Sequence, residues 1–347
     1  MSREASLDKD PGRFFRRLFT SAETGRGSLL WSRHVTLAIA AIIVLVVGFS
    51  ASSSIRYGLI YSTVLAILIL GNNAVQVTLG EINLGSVAFL AFGAYVVLNF
   101  ANAGIPPWIA VLLGIVLTAI VGFLLAIPTS RLTGLATALV TFALSYSIRD
   151  LAIFFTPLTG GDAGSFLKGG LDFFGMSGTG SEPGMLIVAV LAMIVAGLGH
   201  IWLLHRKPGR VALTVGEAPT AARVFGTPNM WVKLGVWTWA GALGGLAGGI
   251  YAYSVGFITA YSWSIMLAIF VFVGGLIGGT RSVVGAWIGG ILVGGMPIWL
   301  TNVVPPTAST LVFGIILLVA VLAGGKGIAQ FAERYGVRLF ARVRGKR

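Results

Sequence analysis

The sequence predicts an all-α, polytopic membrane protein with about 10 transmembrane helices, several of them containing glycine-interrupted segments. Three observations carry this. Of 347 residues, 56% are hydrophobic and only 10% are charged, against about 25% charged in an ordinary soluble domain. Mean hydropathy is +0.92, which leaves too few polar groups to cover a water-facing surface. The Lys and Arg residues gather at the two ends and in one central loop, beside apolar segments. A formal charge of +13 in that arrangement fits anionic headgroups and the cytoplasmic bias of positive loops, not nucleic acid. The absence of cysteine excludes disulfides and thiolate metal sites.

Residues 1–34 carry seven Lys/Arg and read as a basic cytoplasmic N-terminal segment. Residues 14–19 can lie on the membrane surface as a short amphipathic piece. The segment is too long and too polar for a cleaved signal peptide. A membrane domain over 35–323 follows. A helix needs about 20 residues to cross about 30 Å of hydrocarbon. Ten spans answer to this: 35–50, 58–70, 86–100, 108–127, 135–155, 185–204, 234–253, 264–278, 283–300 and 308–323. With both termini inside, 21 of the 24 Lys/Arg fall on the cytoplasmic side. The reverse orientation puts them outside, against the positive-inside rule.

The loop between the fifth and sixth spans, 156–184, is rich in Gly and Ser and has Asp162, Asp172 and Glu182 against Lys168. It reads as an outer loop that meets a partner, a loose lid, or a tolerated insertion. The central loop, 205–233, is the longest basic interval between spans. Pro208 fits a helix start there, and Gly226 with Pro228 fits a stop. It reads as a docking element for a cytoplasmic protein or as a solvated connector. Residues 324–347 form a basic cytoplasmic tail, in which Ile328, Phe331, Tyr335, Leu339 and Val343 recur at near-helical spacing.

No catalytic constellation is present, so an enzyme is not expected. His34, His200 and His205 sit at span ends without metal-ligand spacing. No glycine-rich phosphate loop ends in Lys-Ser or Lys-Thr, so no cofactor is expected on this chain, and ATP, if it drives the protein, is bound by another subunit. Two glycine-broken stretches are more informative: Asn72 to Ser86 in the first half, and Gly274 to Ser282 leading into Gly285, Gly289 and Gly290 in the second. Broken segments in corresponding halves point to a transport pathway near the midplane. Glu81 lies in the first of them, either as a group in the pathway or as a solvated residue of a cytoplasmic turn. Whether residues 72–85 re-enter the membrane stays open. Arg149 and Asp150, toward an outer span end, read as a local ion pair or as snorkelling.

Four stretches together resemble the permease subunits of branched-chain amino-acid ABC importers, on the LivM-type side of the LivH/LivM family. Residues 80–89, Gly-Glu-Ile-Asn-Leu-Gly-Ser-Val-Ala-Phe, with Gly93-Ala94-Tyr95, are similar to that family's Gly-Gln-Leu-Ser-Leu-Gly-His-Ala-Ala-Phe segment. Leu158-Thr159-Gly160-Gly161 follows a span containing Arg149, as in the family. Gly209-Arg210, Glu217, Ala221-Ala222-Arg223, Gly226 and Lys233-Leu234 match its central loop in spacing. Val273-Gly274-Gly275-Leu276 with Gly285 matches its late glycine-rich segment. The resemblance covers most of 60–300 in the same order.

It implies a bacterial plasma-membrane protein with a homologous LivH-like permease, two cytoplasmic ATPases and an extracytoplasmic solute-binding protein as partners. It implies that the 205–233 loop couples to the ATPase through Glu217, Ala221, Ala222 and Gly226. A substrate pathway between the two permeases would then be lined by Asn72, Asn73, Gln76, Glu81, Asn83 and Thr141. Glu81 replaces a usual Gln, Ser86 a frequent His, Tyr146 a frequent acid and Pro219 an acidic loop position. These departures leave the solute open among branched-chain amino acids, other amino acids, urea and short amides. The rival reading is an ion-coupled carrier working without an ATPase, which the scarcity of acids in the spans disfavours.

Overall fold

The computed structural model describes residues 33–132, 134–171, 180 and 183–323. The basic ends, with the surface helices expected there, lie outside the described residues. The long helices are α1 (Arg33–Ser50), α2 (Ser53–Leu79), α3 (Ser86–Asn102), α4 (Pro107–Thr129) and α5 (Leu135–Phe154). The short α6 (Thr156–Thr159) precedes α7 (Pro183–His205), the loop helices α8 (Lys207–Glu217) and α9 (Pro219–Val224), and α10 (Asn229–Val255). The chain closes with α11 (Ile265–Gly278), α12 (Val283–Gly290), α13 (Met296–Leu300) and α14 (Pro306–Ala323). Two-residue strands β1 (Ser165–Phe166) and β2 (Phe257–Ile258) pair antiparallel, Ser165 opposite Ile258.

Seven segments among the described residues are long and apolar enough to cross a membrane: Arg33–Ser50, Ser53–Leu79, Pro107–Thr129, Leu135–Phe154, Pro183–His205, Ala260–Gly278 and Val283–Leu300. The expected count of ten is therefore not reached on length and hydropathy alone. The shorter α3 is apolar but has 17 residues.

Helix α2 is the centre. Nearly every residue from Gly58 to Val75 is buried, and α7, α8, α10, α11 and α12 pack around it. A helix apolar on all sides belongs inside such an arrangement. It runs nine residues past the expected end at 70, because Asn72, Asn73 and Gln76 turn into protein rather than towards lipid. The break is confined to residues 80–85, where Gly80 takes φ 66° and its N–H still bonds Gln76 O at 3.1 Å.

Helix α4 explains the glycine content. Ala110, Gly114, Thr118, Gly122 and Ala126 are buried, while Leu112, Val116, Ile120 and Leu124 at the same spacing are exposed. Small residues point inwards and large apolar ones outwards, as helix packing in lipid requires. A Cβ on Gly122 would sit 2.5 Å from Trp237 O, and one on Gly241 2.5 Å from Thr118 O. Helices α4 and α10 thus meet backbone to backbone. Helix α3 joins the same contact, where a Cβ on Gly93 would lie 2.7 Å from Gly245 Cα and one on Gly245 would collide with Gly114 O.

The span expected over 283–300 is one apolar segment but not one α-helix. Residues Ile291–Gly295 form a π-helical turn between α12 and α13. Pro297 supplies no N–H to the carbonyl four residues back, and a widened turn absorbs the defect.

Candidate functional site

The site is built where the central loop meets the end of α2. Helix α8 is amphipathic: Gly209, Ala212 and Val215 are buried, while Lys207, Arg210 and Glu217 face solvent. Pro208 stands in its first turn. Gly216 rests on the backbone of α2, where an added Cβ would lie 2.9 Å from Leu79 Cα and would collide with Thr78 O. The loop therefore presses on the last turn of α2.

Helix α9 ends in a glycine stop. Gly226 takes φ 76°, its N–H bonds Arg223 O at 2.9 Å, and Thr227 N–H bonds Ala222 O at 2.9 Å. These paired bonds satisfy the last carbonyls and reverse the chain. Glu217, Ala221 and Gly226 are exposed, but Ala222 packs inwards and is 1% exposed. The most exposed large apolar side chains of the loop are Val224 and Phe225, 80% and 86% exposed. Neither is among the loop residues expected to couple. Their signal was two large apolar side chains in a basic loop directly before a glycine.

The chain leaves the loop through the first turns of α10, and there it meets residues 80–85. Lys233 Nζ donates to Glu81 Oε1 at 2.5 Å and to Leu132 O at 3.3 Å. One turn later Trp237 Nε1 donates to Glu81 Oε2 at 3.3 Å. Glu81 is 3% exposed, so it is not a solvated turn residue; both its oxygens are bonded from α10. Leu84 N–H donates to Thr141 Oγ1 of α5 at 3.1 Å, and Gly85 N–H to Asn83 Oδ1 at 2.8 Å. The non-helical stretch after α2 is thus wired to α10, to α5 and to the α4–α5 connection.

Above this node lies a polar seam inside the chain. Neither Asn72 nor Asn73 has a side-chain hydrogen bond, and Gln76 Oε1, Asn83 Nδ2, Ser86 Oγ and Thr137 Oγ1 also lack partners. Asn73 Oδ1 faces Gly275 of α11, 2.5 Å from where a Cβ would stand. Asn72, Asn73, Asn83 and Thr141 are each at most 1% exposed. They lie within this chain and not on an outward face that a second permease could reach.

At the far end of the helices, aromatic rings close the interior. Tyr251 and Trp263 have centroids 5.4 Å apart, and Trp263 Nε1 donates to Tyr95 OH at 3.1 Å. The described part of the outer loop is held down: Asn102 Nδ2 donates to Phe166 O at 2.9 Å, and Lys168 N–H to Asn102 Oδ1 at 2.8 Å. Asp172 and Glu182 lie outside the described residues. Arg149 does not pair with Asp150; its guanidinium stacks 4.4 Å over the Tyr261 ring.

Among the described residues no group of three His, Asp or Glu is disposed to hold a metal. The arrangement offers amide and hydroxyl groups for binding and one buried ion pair.

Comparison with known proteins agrees with this architecture. The chain is 27% identical over 249 residues to the probable branched-chain amino acid transport permease protein LivH of Methanocaldococcus jannaschii, covering 68% of this chain and 76% of that one. It is 32% identical over 240 residues to the high-affinity branched-chain amino acid transport system permease protein LivM of Salmonella typhimurium, and the match spans 62% of this chain but only 56% of the relative. It is 25% identical over 304 residues to the fructose import permease protein FruG of Bifidobacterium longum, covering 83% and 89%. No solved structure matches the chain significantly. The family described as the permease component of the branched-chain amino acid transport system matches residues 54–321, from the start of α2 almost to the end of α14, and the chain belongs to that family.

Proposed function

We propose that the chain is the membrane-spanning permease subunit of an ATP-driven importer for a small polar solute, with branched-chain amino acids the first candidates. One observation carries the reading: both ends of the α8–α10 loop bear on the same junction. Gly216 presses on Thr78 and Leu79, and Lys233 grips Glu81 two residues further on. A push on the exposed α9 and Phe225 therefore enters the interior at one place, the α2–α3 break.

The pusher in this reading is a cytoplasmic ATPase, engaged through Glu217, Ala221, Gly226, Val224 and Phe225, with Ala222 serving as the packed foot. Two ATPases, a homologous permease and an extracytoplasmic binding protein complete the assembly, as the family relationship implies. Helices α3, α10 and α14 cross the membrane with the seven strongly apolar segments, giving ten crossings with both termini cytoplasmic. This orientation keeps the basic residues on the α8 side.

The solute route follows the internal seam of Asn72, Asn73, Gln76, Asn83 and Thr141. An unpartnered buried amide costs about 1–3 kcal/mol, a penalty relieved when α2 and α11 part and water or solute enters. Amides both donate and accept, which suits a zwitterion, a urea or a sugar hydroxyl. The fructose permease among the relatives keeps that last class open. The decisive experiment is a pull-down from membranes through a C-terminal tag. Recovery of an ATPase and a second polytopic permease is expected. Recovery of the chain only with itself, together with gradient-driven uptake by the pure chain in liposomes, would overturn the reading.

A further inference from the structure

Three helix ends converge on the α8 side, away from the seam, and form a cationic cleft. Arg33 and Thr36 line it from α1, His200 from α7, and Arg281 with Ser282 and Val283 from the start of α12. His200 is 1% exposed, and neither of its ring nitrogens has a hydrogen-bond partner. Buried imidazoles are rarely left so.

Among the described residues the charges in the cleft are also uncompensated. Arg33 Nη1 lies 3.0 Å from His205 Nε2, and His205 Nδ1 lies 2.8 Å from Ile201 O. A carbonyl only accepts, so Nδ1 carries the proton and Nε2 accepts from Arg33. That His205 is neutral and cannot offset the guanidinium. Among the described residues no carboxylate lines the cleft. At the mouth of α12, Ser282 Oγ takes the Gly285 N–H at 3.2 Å, while the amides of the first turn have no carbonyl within the helix to bond. A helix start flanked by two guanidinium groups and an unpartnered imidazole is complementary to a tetrahedral oxyanion.

The height of the cleft identifies the source. Arg33 opens α1, His200 lies in the last turns of α7, and Arg281 precedes α12. All three are at span ends, the level at which basic pockets between helices take headgroups. We propose that this cleft binds the phosphate of an anionic phospholipid from the leaflet on the α8 side, pinning α1 to α7 and to the α11–α12 turn. The site does not depend on which solute the chain carries or on an ATPase.

The test uses the full chain, purified in neutral detergent and stripped of lipid. Short-chain phosphatidylglycerol, phosphatidylcholine of the same chain length, and inorganic phosphate are added separately. Native mass spectrometry reads retention, and tryptophan fluorescence reads the thermal midpoint. Phosphatidylglycerol is expected to remain bound and to raise the midpoint, and phosphatidylcholine is not. Arg281→Met should weaken phosphatidylglycerol binding at least tenfold. Arg281 is exposed at a turn, so this variant keeps its fold, whereas Arg33→Met and His200→Phe alter packed positions and serve as confirmation. Equal protection by inorganic phosphate would overturn the lipid assignment in favour of a soluble anion. Undiminished phosphatidylglycerol retention by Arg281→Met would overturn the site itself.

Discussion

Lys233 Nζ lies 2.5 Å from Glu81 Oε1, and the two side chains are only 12% and 4% exposed. Removing one member of a buried pair strands the other and costs about 3–5 kcal/mol. Lys233→Met should therefore lower the thermal midpoint in detergent strongly. Glu81→Gln should do so less, because the neutral amide can still accept from Lys233 or Trp237. The exchange Glu81→Lys with Lys233→Glu should recover part of the loss. Equal effects of the two single variants would mean that the hydrogen bonds kept by the amide contribute nothing and that charge alone is what the contact supplies.

Phe225 is the most exposed large apolar side chain of the central loop. Phe225→Ser should leave the thermal midpoint within the usual small range for surface changes, about ±0.5 kcal/mol. It should also reduce co-purification of the ATPase more than tenfold, the scale of an interface hot spot. Quantified pull-downs from equal amounts of membrane would decide it.

Asn73→Leu separates function from stability. The side chain has no partner, so an apolar replacement of similar size removes a desolvation penalty. The expected result is an equal or higher thermal midpoint with solute uptake reduced at least tenfold in proteoliposomes. Normal uptake would remove Asn73 from the route.

Gly122→Val tests the α4–α10 contact. The new side chain meets Trp237 O and Gly241 Cα, backbone atoms that cannot rotate away. A cost towards the upper end of the usual 1–3 kcal/mol for overpacking is expected. Gly235→Ala is the control in α10, since nothing lies within 4 Å of a Cβ there. It should be neutral or stabilising by up to about 1 kcal/mol.

Much of this was legible in the sequence, and the failures have physical causes. The expected span 108–127 became Pro107–Thr129, and 264–278 became Ile265–Gly278, because apolar length alone fixes such helices. Pro208 and Gly226 marked the loop helices because their backbone chemistry is local. The extension of α2 to Leu79 was hidden, since Asn72, Asn73 and Gln76 read as leaving the membrane when they are turned into protein. The partner of Glu81 was hidden because it lies 152 positions away. Ala222 was grouped with Ala221, yet one packs and the other is bare. His200 looked inert for want of a spaced ligand, and no spacing rule reports three helix ends that meet only after folding.

The distance along the chain between Glu81 and Lys233 also sets a problem of biosynthesis. At roughly 5–20 residues per second, the carboxylate is made roughly 8–30 s before the lysine it pairs with. During that interval α2 and α3 are present without the lysine that Glu81 meets in the folded chain, and α10 must later pack against α2, α3 and α4 to bring it there. Completion of this junction therefore waits on the last third of the chain, and a nascent protein stalled before residue 233 holds the Glu81 carboxylate without its lysine.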